Sequence, residues 1–359
     1  SVSMSTARDV TIFYSPLHGT GLSTVYPVLQ QLGFDVRLCP KTSNPSGAFE
    51  NVTFNIPNPE VVESFDASLP FARQAGADLL ISTDPDADRI GIMANHHGEW
   101  TFLTGNEIGI LLAQYAVDKL RAAGALHAGR TIIKTDVTTS LIDTMARENR
   151  IRCAGDLLVG FKYVAEEMNR LESEGRIADF IFGCEESHGY LTGAYARDKD
   201  AAGAAVWIAE FAAELKRQRR TLVDALNEIY AAYGVCHNHL TEIRLLGAKG
   251  MEQIAAIMEH FRQARVEGFG EFNVIEKIDR WQGDPQPHLS ETDTSARNVV
   301  VLALGNTAET TRLRITVRPS GTEPKIKMYF EAVGKPCPPD ALAAARQALV
   351  AIRERLEKN

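Results

Sequence analysis

The hydrophobic pattern changes period several times along the chain. Residues 10–14 are a short β-branched and aromatic run that predicts a buried strand, and the chain leaves it through Ser15-Pro-Leu-His-Gly-Thr-Gly21 into an amphipathic stretch ending at Gly33. A second strand is expected over 35–39, a helix from about Pro59 with Asn58 as its cap, and a third strand over 77–82. Helical periodicity over 105–123, 138–149, 160–174, 199–217 and 222–233 then alternates with apolar runs at 131–134, 152–154 and 179–183. Such alternation predicts parallel α/β sheets. Beyond Gly234 one helix (249–265) precedes strands at 272–278, 299–304, 311–317 and 325–331 and a last helix over 339–356. Strands grouped in this way predict an α+β domain with a mostly antiparallel sheet. The expected organisation is therefore an α/β domain over 1–100, a second over 101–234, both with mixed, largely parallel sheets, and a smaller α+β domain over 235–359.

Composition narrows the function classes. The 359 residues are 45% hydrophobic and 23% charged, as in an average globular protein, and they are long enough for two or three cores. A formal charge of -8 opposes a phosphate-backbone surface, so no nucleic-acid partner is expected. No apolar run approaches the ~20 residues of a membrane span, and no membrane partner is expected. The five cysteines (Cys39, Cys153, Cys184, Cys236, Cys337) are widely spaced with no CxxC pair, so neither a disulfide framework nor a zinc site is indicated and a reducing, cytoplasmic location is expected.

Three loops carry candidate chemistry. Asp84-Pro-Asp86-Ala-Asp88-Arg89 directly follows the third strand, where open α/β sheets bind ligands. Carboxylates at alternate positions in a short loop can converge on one hard cation. An EF-hand would place Gly and Glu where this chain has Arg89 and Asn95, which leaves a solvated acidic turn as the alternative. Gly183-Cys-Glu185-Glu186-Ser187-His188-Gly189-Tyr190 also follows a strand and offers the donors and acceptors that vicinal hydroxyls require, although taken alone it reads equally well as a polar loop. Arg318-Pro-Ser320-Gly321-Thr322-Glu-Pro-Lys325 combines a guanidinium fork, two hydroxyls and free N–H groups around a glycine. That composition suits a phosphate, with a tight hairpin turn as the alternative.

A metal loop, a sugar loop and a phosphate loop in this order resemble the α-D-phosphohexomutase superfamily, over essentially the whole chain. The resemblance implies Mg²⁺ ligation by Asp84, Asp86 and Asp88, and places Arg89 beside the transferring phosphoryl group. It implies sugar contacts from Glu185 and Ser187, from Gly160 and Lys162 in the Val159-Gly-Phe-Lys162 turn, and from Lys199. Arg318, Ser320, Gly321 and Thr322 match the loop that grips the phosphate not reacting. The implied activity is reversible phosphoryl transfer between the 1- and 6-positions of a glucose or mannose phosphate, with a sugar bisphosphate as intermediate and activator. Gly105-Asn-Glu107 and Glu185-Glu-Ser-His-Gly-Tyr190 resemble a branch that also holds phosphopentomutases and glucose-1,6-bisphosphate synthases, and a non-catalytic sugar-phosphate binding protein is the alternative of another class. The family's Thr-x-Ser-His-Asn-Pro loop, whose serine carries the phosphoryl group, is expected in a domain ahead of residue 10, and these residues alone are expected to be inactive. Thr42-Ser43-Asn44-Pro45 imitates part of that loop but lacks its histidine, so Ser43 reads as part of a polar loop.

Overall fold

The computed structural model describes residues 8–245, 247–263, 266–281, 296–305, 307–320 and 324–358. They form two compact units divided between Ile229 and Tyr230.

The first unit contains two sheets built to one plan. In the first, β1 (Thr11–Ser15) passes through α1 (Val25–Gln31) to β2 (Asp35–Leu38), and then through α2 (Leu69–Gln74) to β3 (Leu79–Thr83). β4 (Ile90–His96) and β5 (Glu99–Leu103) complete the order β2-β1-β3-β4-β5, with β1, β2 and β3 parallel and the last two antiparallel. α3 (Gly105–Ala122) leads to the second sheet, which contains β6 (Thr131–Thr135), α4 (Leu141–Glu148), β7 (Arg152–Leu157), α5 (Phe161–Ser173), β8 (Phe180–Glu185) and β9 (Gly189–Leu191). Its order is β7-β6-β8-β9, again parallel except for the last strand.

α6 (Ala201–Arg217) packs on α1, α3 and β3, and so on elements of both halves of this unit. Its sequence Ala-Ala-Gly-Ala-Ala-Val-Trp-Ile-Ala is apolar nearly all round, the composition of a helix covered on several sides, and Ala205, Ile208 and Ala209 have no exposed surface. α7 (Leu222–Tyr233) follows.

The second unit has one antiparallel sheet: β10 (Cys236–Arg244), β11 (Gly268–Phe269), β12 (Phe272–Asp279), β13 (Val300–Leu304), β14 (Thr310–Pro319) and β15 (Lys325–Gly334), in the order β10-β15-β14-β13-β12-β11. α8 (Gly247–Gln263) packs on β13 and β14, and α9 (Leu342–Leu356) on β10 and β15. Mixed α/β sheets followed by an antiparallel α+β unit are the fold class read from the pattern.

One local expectation needs correction, and some elements went unread. No helix begins at Pro59: Asn58 Oδ1 accepts from the Glu60 N–H at 2.9 Å in an Asx turn, a 3₁₀ turn follows at Val62–Phe65, and the helix starts only at Leu69. The hairpin β4–β5 was not anticipated, although His97-Gly98 between two apolar runs is its turn signal. β10 was missed as well, because Cys-His-Asn-His-Leu-Thr-Glu-Ile-Arg is an edge strand without alternation, held by pairing with β15 along nine residues.

Candidate active site

The acidic loop closes on itself. Asp84 Oδ1 accepts the backbone N–H groups of Asp88 at 3.2 Å and Arg89 at 3.0 Å, and Ala87 adopts φ 59°. One carboxylate oxygen from each of Asp84, Asp86 and Asp88 lies within 4.8 Å of the others. Burial, and then the charges of Asp88 and Asp86, push the Asp84 carboxyl up to about 7 despite the Arg89 N–H it accepts. Asp88 Oδ1 is buried with no hydrogen-bond donor among the described residues. Three converging carboxylates, with the Asp84 carboxyl raised by burial and by the charges of the other two and with one buried oxygen lacking a donor, form an all-oxygen donor set suited to a hard divalent cation.

The glycine-rich turn after β1 buttresses this loop from behind. Thr20 donates its N–H (2.7 Å) and its hydroxyl (3.0 Å) to the Pro85 carbonyl. A Cβ on Gly19 would stand 2.3 Å from Pro85 Cα, so only glycine permits the approach. Thr42 is buried and its hydroxyl bonds that of Ser15 at 2.8 Å, while the Asn44 carbonyl meets His18 Nδ1 at 2.6 Å. The segment with Ser43 is thereby tied to the same turn.

The second loop meets the first. Arg89 and Gly189 form an isolated antiparallel bridge, the Ile90 N–H donates to the His188 carbonyl at 3.1 Å, and His188 Nδ1 lies 3.0 Å from the Ile90 carbonyl. Burial drives His188 down to about 4, so it is neutral near pH 7 and donates from Nδ1. Ser187 Oγ donates to Glu185 Oε1 at 3.0 Å. Burial raises the Glu185 carboxyl, with Lys199 and Ser187 opposing. Lys199 Nζ lies 3.0 Å from Asp88 Oδ2 and 4.0 Å from Glu185 Oε1, and thus joins the two loops.

The structure therefore brings Asp84, Asp86, Asp88, Arg89, Glu185, Ser187 and Lys199 together. The Gly160 turn, at φ 132°, reaches the group through Phe161, whose ring lies 5.5 Å beneath Lys199 Nζ. Lys162 is exposed, with its Nζ over the Tyr163 ring at 5.1 Å. The sequence reading missed Glu60, which holds Arg89 Nη1 at 2.8 Å; nothing in Pro-Asn-Pro-Glu announces that contact. It also missed the packing of Gly105, where a Cβ would stand 2.0 Å from the Glu186 carbonyl oxygen.

In the second unit Arg318 sits opposite Lys327 in the β14–β15 ladder, with Lys325 nearby at the end of the same hairpin. Arg318 Nη1 donates to Tyr329 Oη at 3.2 Å, and Glu242 binds Lys325 at 3.0 Å and Lys327 at 3.2 Å. Like charges facing across a ladder are mutually unfavourable, and an anion relieves them. The Ser320 N–H donates to the Lys325 carbonyl at 2.8 Å; Gly321 and Thr322 lie outside the described residues.

Residues 1–98, 104–233 and 293–336 match, in that order, the family profiles of phosphoglucomutase/phosphomannomutase alpha/beta/alpha domain II, alpha/beta/alpha domain III and the C-terminal domain. The chain belongs to the α-D-phosphohexomutase superfamily. Relatives in it include a phosphoglucomutase of Staphylococcus aureus strain N315, 34% identical over 339 residues, and one of strain MSSA476, 35% identical over 330 residues. These alignments cover 92% and 89% of this chain but 57% and 56% of the relatives, so the chain spans little more than half the length of the curated relatives it matches. Among solved structures, Paramecium pp63/parafusin, a phosphoglucomutase in an open form, superposes with a TM-score of 0.60 at 18% identity, covering 98% of this chain and 58% of that one. A phosphoglucomutase/phosphomannomutase family protein of Burkholderia thailandensis gives 0.59 at 16% identity, covering 98% and 62%. At those identities the superpositions speak for the superfamily fold. No described helix is long and apolar enough to cross a membrane.

Proposed function

We propose that this chain carries the metal, sugar and phosphate loops of a phosphohexomutase that moves a phosphoryl group reversibly between the 1- and 6-hydroxyls of a hexose phosphate, glucose or mannose, through a sugar bisphosphate. The observation that carries this reading is the convergence of Asp84, Asp86 and Asp88 within 4.8 Å, with Arg89 and Lys199 against the same carboxylates. Asp84, Asp86 and Asp88 would hold a Mg²⁺ ion. When bound, that ion supplies positive charge against which phosphoryl oxygens are neutralised. Arg89, oriented by Glu60, places a guanidinium beside the same oxygens, and its planar fork suits phosphate. Glu185 accepts sugar hydroxyl protons in hydrogen bonds and is itself fixed by Ser187 and Lys199, so it can serve either orientation of a bisphosphate. Arg318 and Ser320 take a phosphate that is not reacting. Such chemistry consists mainly of positioning and charge neutralisation, which is what these residues offer.

The phosphoryl carrier in this reading is a serine in a Thr-x-Ser-His-Asn-Pro domain, a motif that residues 1–359 do not contain. A coupled assay of glucose 1-phosphate conversion, with Mg²⁺ and glucose 1,6-bisphosphate, is run on residues 1–359 and on the same residues preceded by such a domain. Turnover by the longer chain only is expected, because without a carrier the remaining charges have no donor to act on. Turnover by residues 1–359 alone would make Ser43 the first candidate carrier. Inactivity of the longer chain on both hexose and pentose phosphates would overturn the assignment.

A further inference from the structure

The far end of the β3–β4 hairpin carries a second donor set of different chemistry. β4 and β5 are joined by His97-Gly98 at φ 54° and 99°, the positive pair of a two-residue type I′ turn. Neighbours in a strand point to opposite faces, but the left-handed backbone at His97 turns its ring back, and the centroids of the His96 and His97 rings are 4.5 Å apart. Both face the connection between α6 and α7. There Thr221 donates its N–H (2.8 Å) and hydroxyl (3.0 Å) to Asp224 Oδ2. Having given its proton to Asp224, the Thr221 hydroxyl offers only lone pairs to His96 Nδ1, 2.8 Å away. Nδ1 therefore carries the hydrogen and Nε2 of His96 is left with its lone pair, the arrangement by which outer groups orient metal-binding imidazoles. His97 Nε2 lies 3.7 Å from Asp224 Oδ2, and one donor atom from each of His96, His97 and Asp224 lies within 4.8 Å of the others.

We propose that His96, His97 and Asp224 bind one divalent transition-metal ion of the zinc class, at a site separate from the acidic loop. Leu79↔Ala94 and Thr83↔Ile90 pairing puts the two donor sets at opposite ends of the hairpin, roughly 20 Å apart along β4. Their chemistries differ in the same sense: two imidazoles and one carboxylate select zinc-class ions, whereas three carboxylates select magnesium or calcium. Zinc bonds of about 2.0–2.2 Å require donors closer together than they now stand. His97, whose side chain is 63% exposed, is free to swing inward. His97 and Thr221 also line a cavity of about 370 Å³, which has room for the waters that complete a shell. A metal here ties the β4–β5 turn to the first turn of α7 and stabilises the native state by mass action.

The test uses the untagged 359-residue chain, stripped by chelator and held in excess Mg²⁺ to saturate the acidic loop. Zn²⁺ is titrated against a chromophoric competitor, and Co²⁺ is followed by its visible absorption. One Zn²⁺ per chain and a Co²⁺ band with nitrogen ligation are expected. His97→Asn should weaken Zn²⁺ by at least about tenfold. The double variant His96→Asn/His97→Asn should abolish binding with an unchanged circular dichroism spectrum. The histidines are replaced because Asp224 also caps α7, so its loss would confuse folding with binding. A His237→Gln/His239→Gln variant, which removes the ring pair of the second unit, should bind as the parent does. Equal Zn²⁺ affinity in the parent and His97→Asn, full displacement of Zn²⁺ by Mg²⁺, or loss of binding with His237 and His239 would each overturn the proposal.

Discussion

The acidic loop at residues 84–89 and the loop at 185–189 occupy equivalent places in two sheets of one plan. Each leaves the third parallel strand of its sheet, β3 or β8, and returns directly into an antiparallel strand, β4 or β9. Their charges are balanced differently. In the first, three carboxylates face one another and Asp84 is driven up to about 7. In the second, Glu185 is more deeply buried and that burial raises its carboxyl, with Lys199 and the Ser187 hydroxyl opposing. Lys199 is shared, 3.0 Å from Asp88 and 4.0 Å from Glu185, so the loops differ in how many carboxylates converge and not in access to a cation. The same topology thus gives one loop in which three carboxylates converge and one in which Glu185 is held by Ser187 and Lys199.

Separating the two duties by mutation is the sharpest way to break this comparison. Asp86→Asn removes a charged oxygen donor, and should lower Mg²⁺ affinity by at least the roughly 10–100-fold that outer-shell groups are worth. Glu185→Gln should leave Mg²⁺ affinity nearly unchanged while weakening hexose monophosphate binding. Isothermal titration of both ligands against both variants checks this, and equal Mg²⁺ losses would show that the loops act as one charge cluster.

A smaller effect is expected where the second loop rests on α3. The Cβ added by Gly105→Ala would meet the Glu186 backbone oxygen at 2.0 Å, and backbone cannot step aside cheaply. A loss of about 1–3 kcal/mol in urea unfolding is expected, with weakened sugar-phosphate binding because Glu185 and Ser187 move with Glu186. Unchanged stability would mean that the loop is not seated on α3.

Smallest at neutral pH, and visible only in acid, is the contribution of His188, which joins the loops through Ile90. Its folded value of about 4 lies below the ordinary histidine value, so the unfolded chain binds the extra proton and stability falls as pH drops from about 6.5 towards 4. The slope approaches about 1.4 kcal/mol per pH unit inside that window. In His188→Gln this component should disappear. Denaturant titrations of both proteins at several pH values measure the difference, and parallel curves would remove His188 from the acid response.

Much of the site was legible because its residues are contiguous. Asp84, Asp86, Asp88 and Arg89 lie in six residues, and Glu185 and Ser187 in three, so loop chemistry was enough to single them out. The partners that set their properties were not legible. Glu60 reaches Arg89 only because the expected helix at Pro59 is an Asx turn followed by a 3₁₀ turn, and Thr20 supports Pro85 only because β1 and β3 are paired in parallel.

The sequence by itself determined the elements whose side-chain period is strong, such as α4 and α5, and the order of the three loops. Period and turn chemistry are properties of a few neighbouring residues, so they survive without the rest of the chain. Tertiary structure alone decided that Lys199 bridges Asp88 and Glu185, that His188 locks to Ile90, and that Asp224 faces His96 and His97. Apart from Lys199–Glu185, those contacts join residues about a hundred or more positions apart, and they exist only because strand register and the packing of α6 against both halves of the first unit fix where each backbone runs.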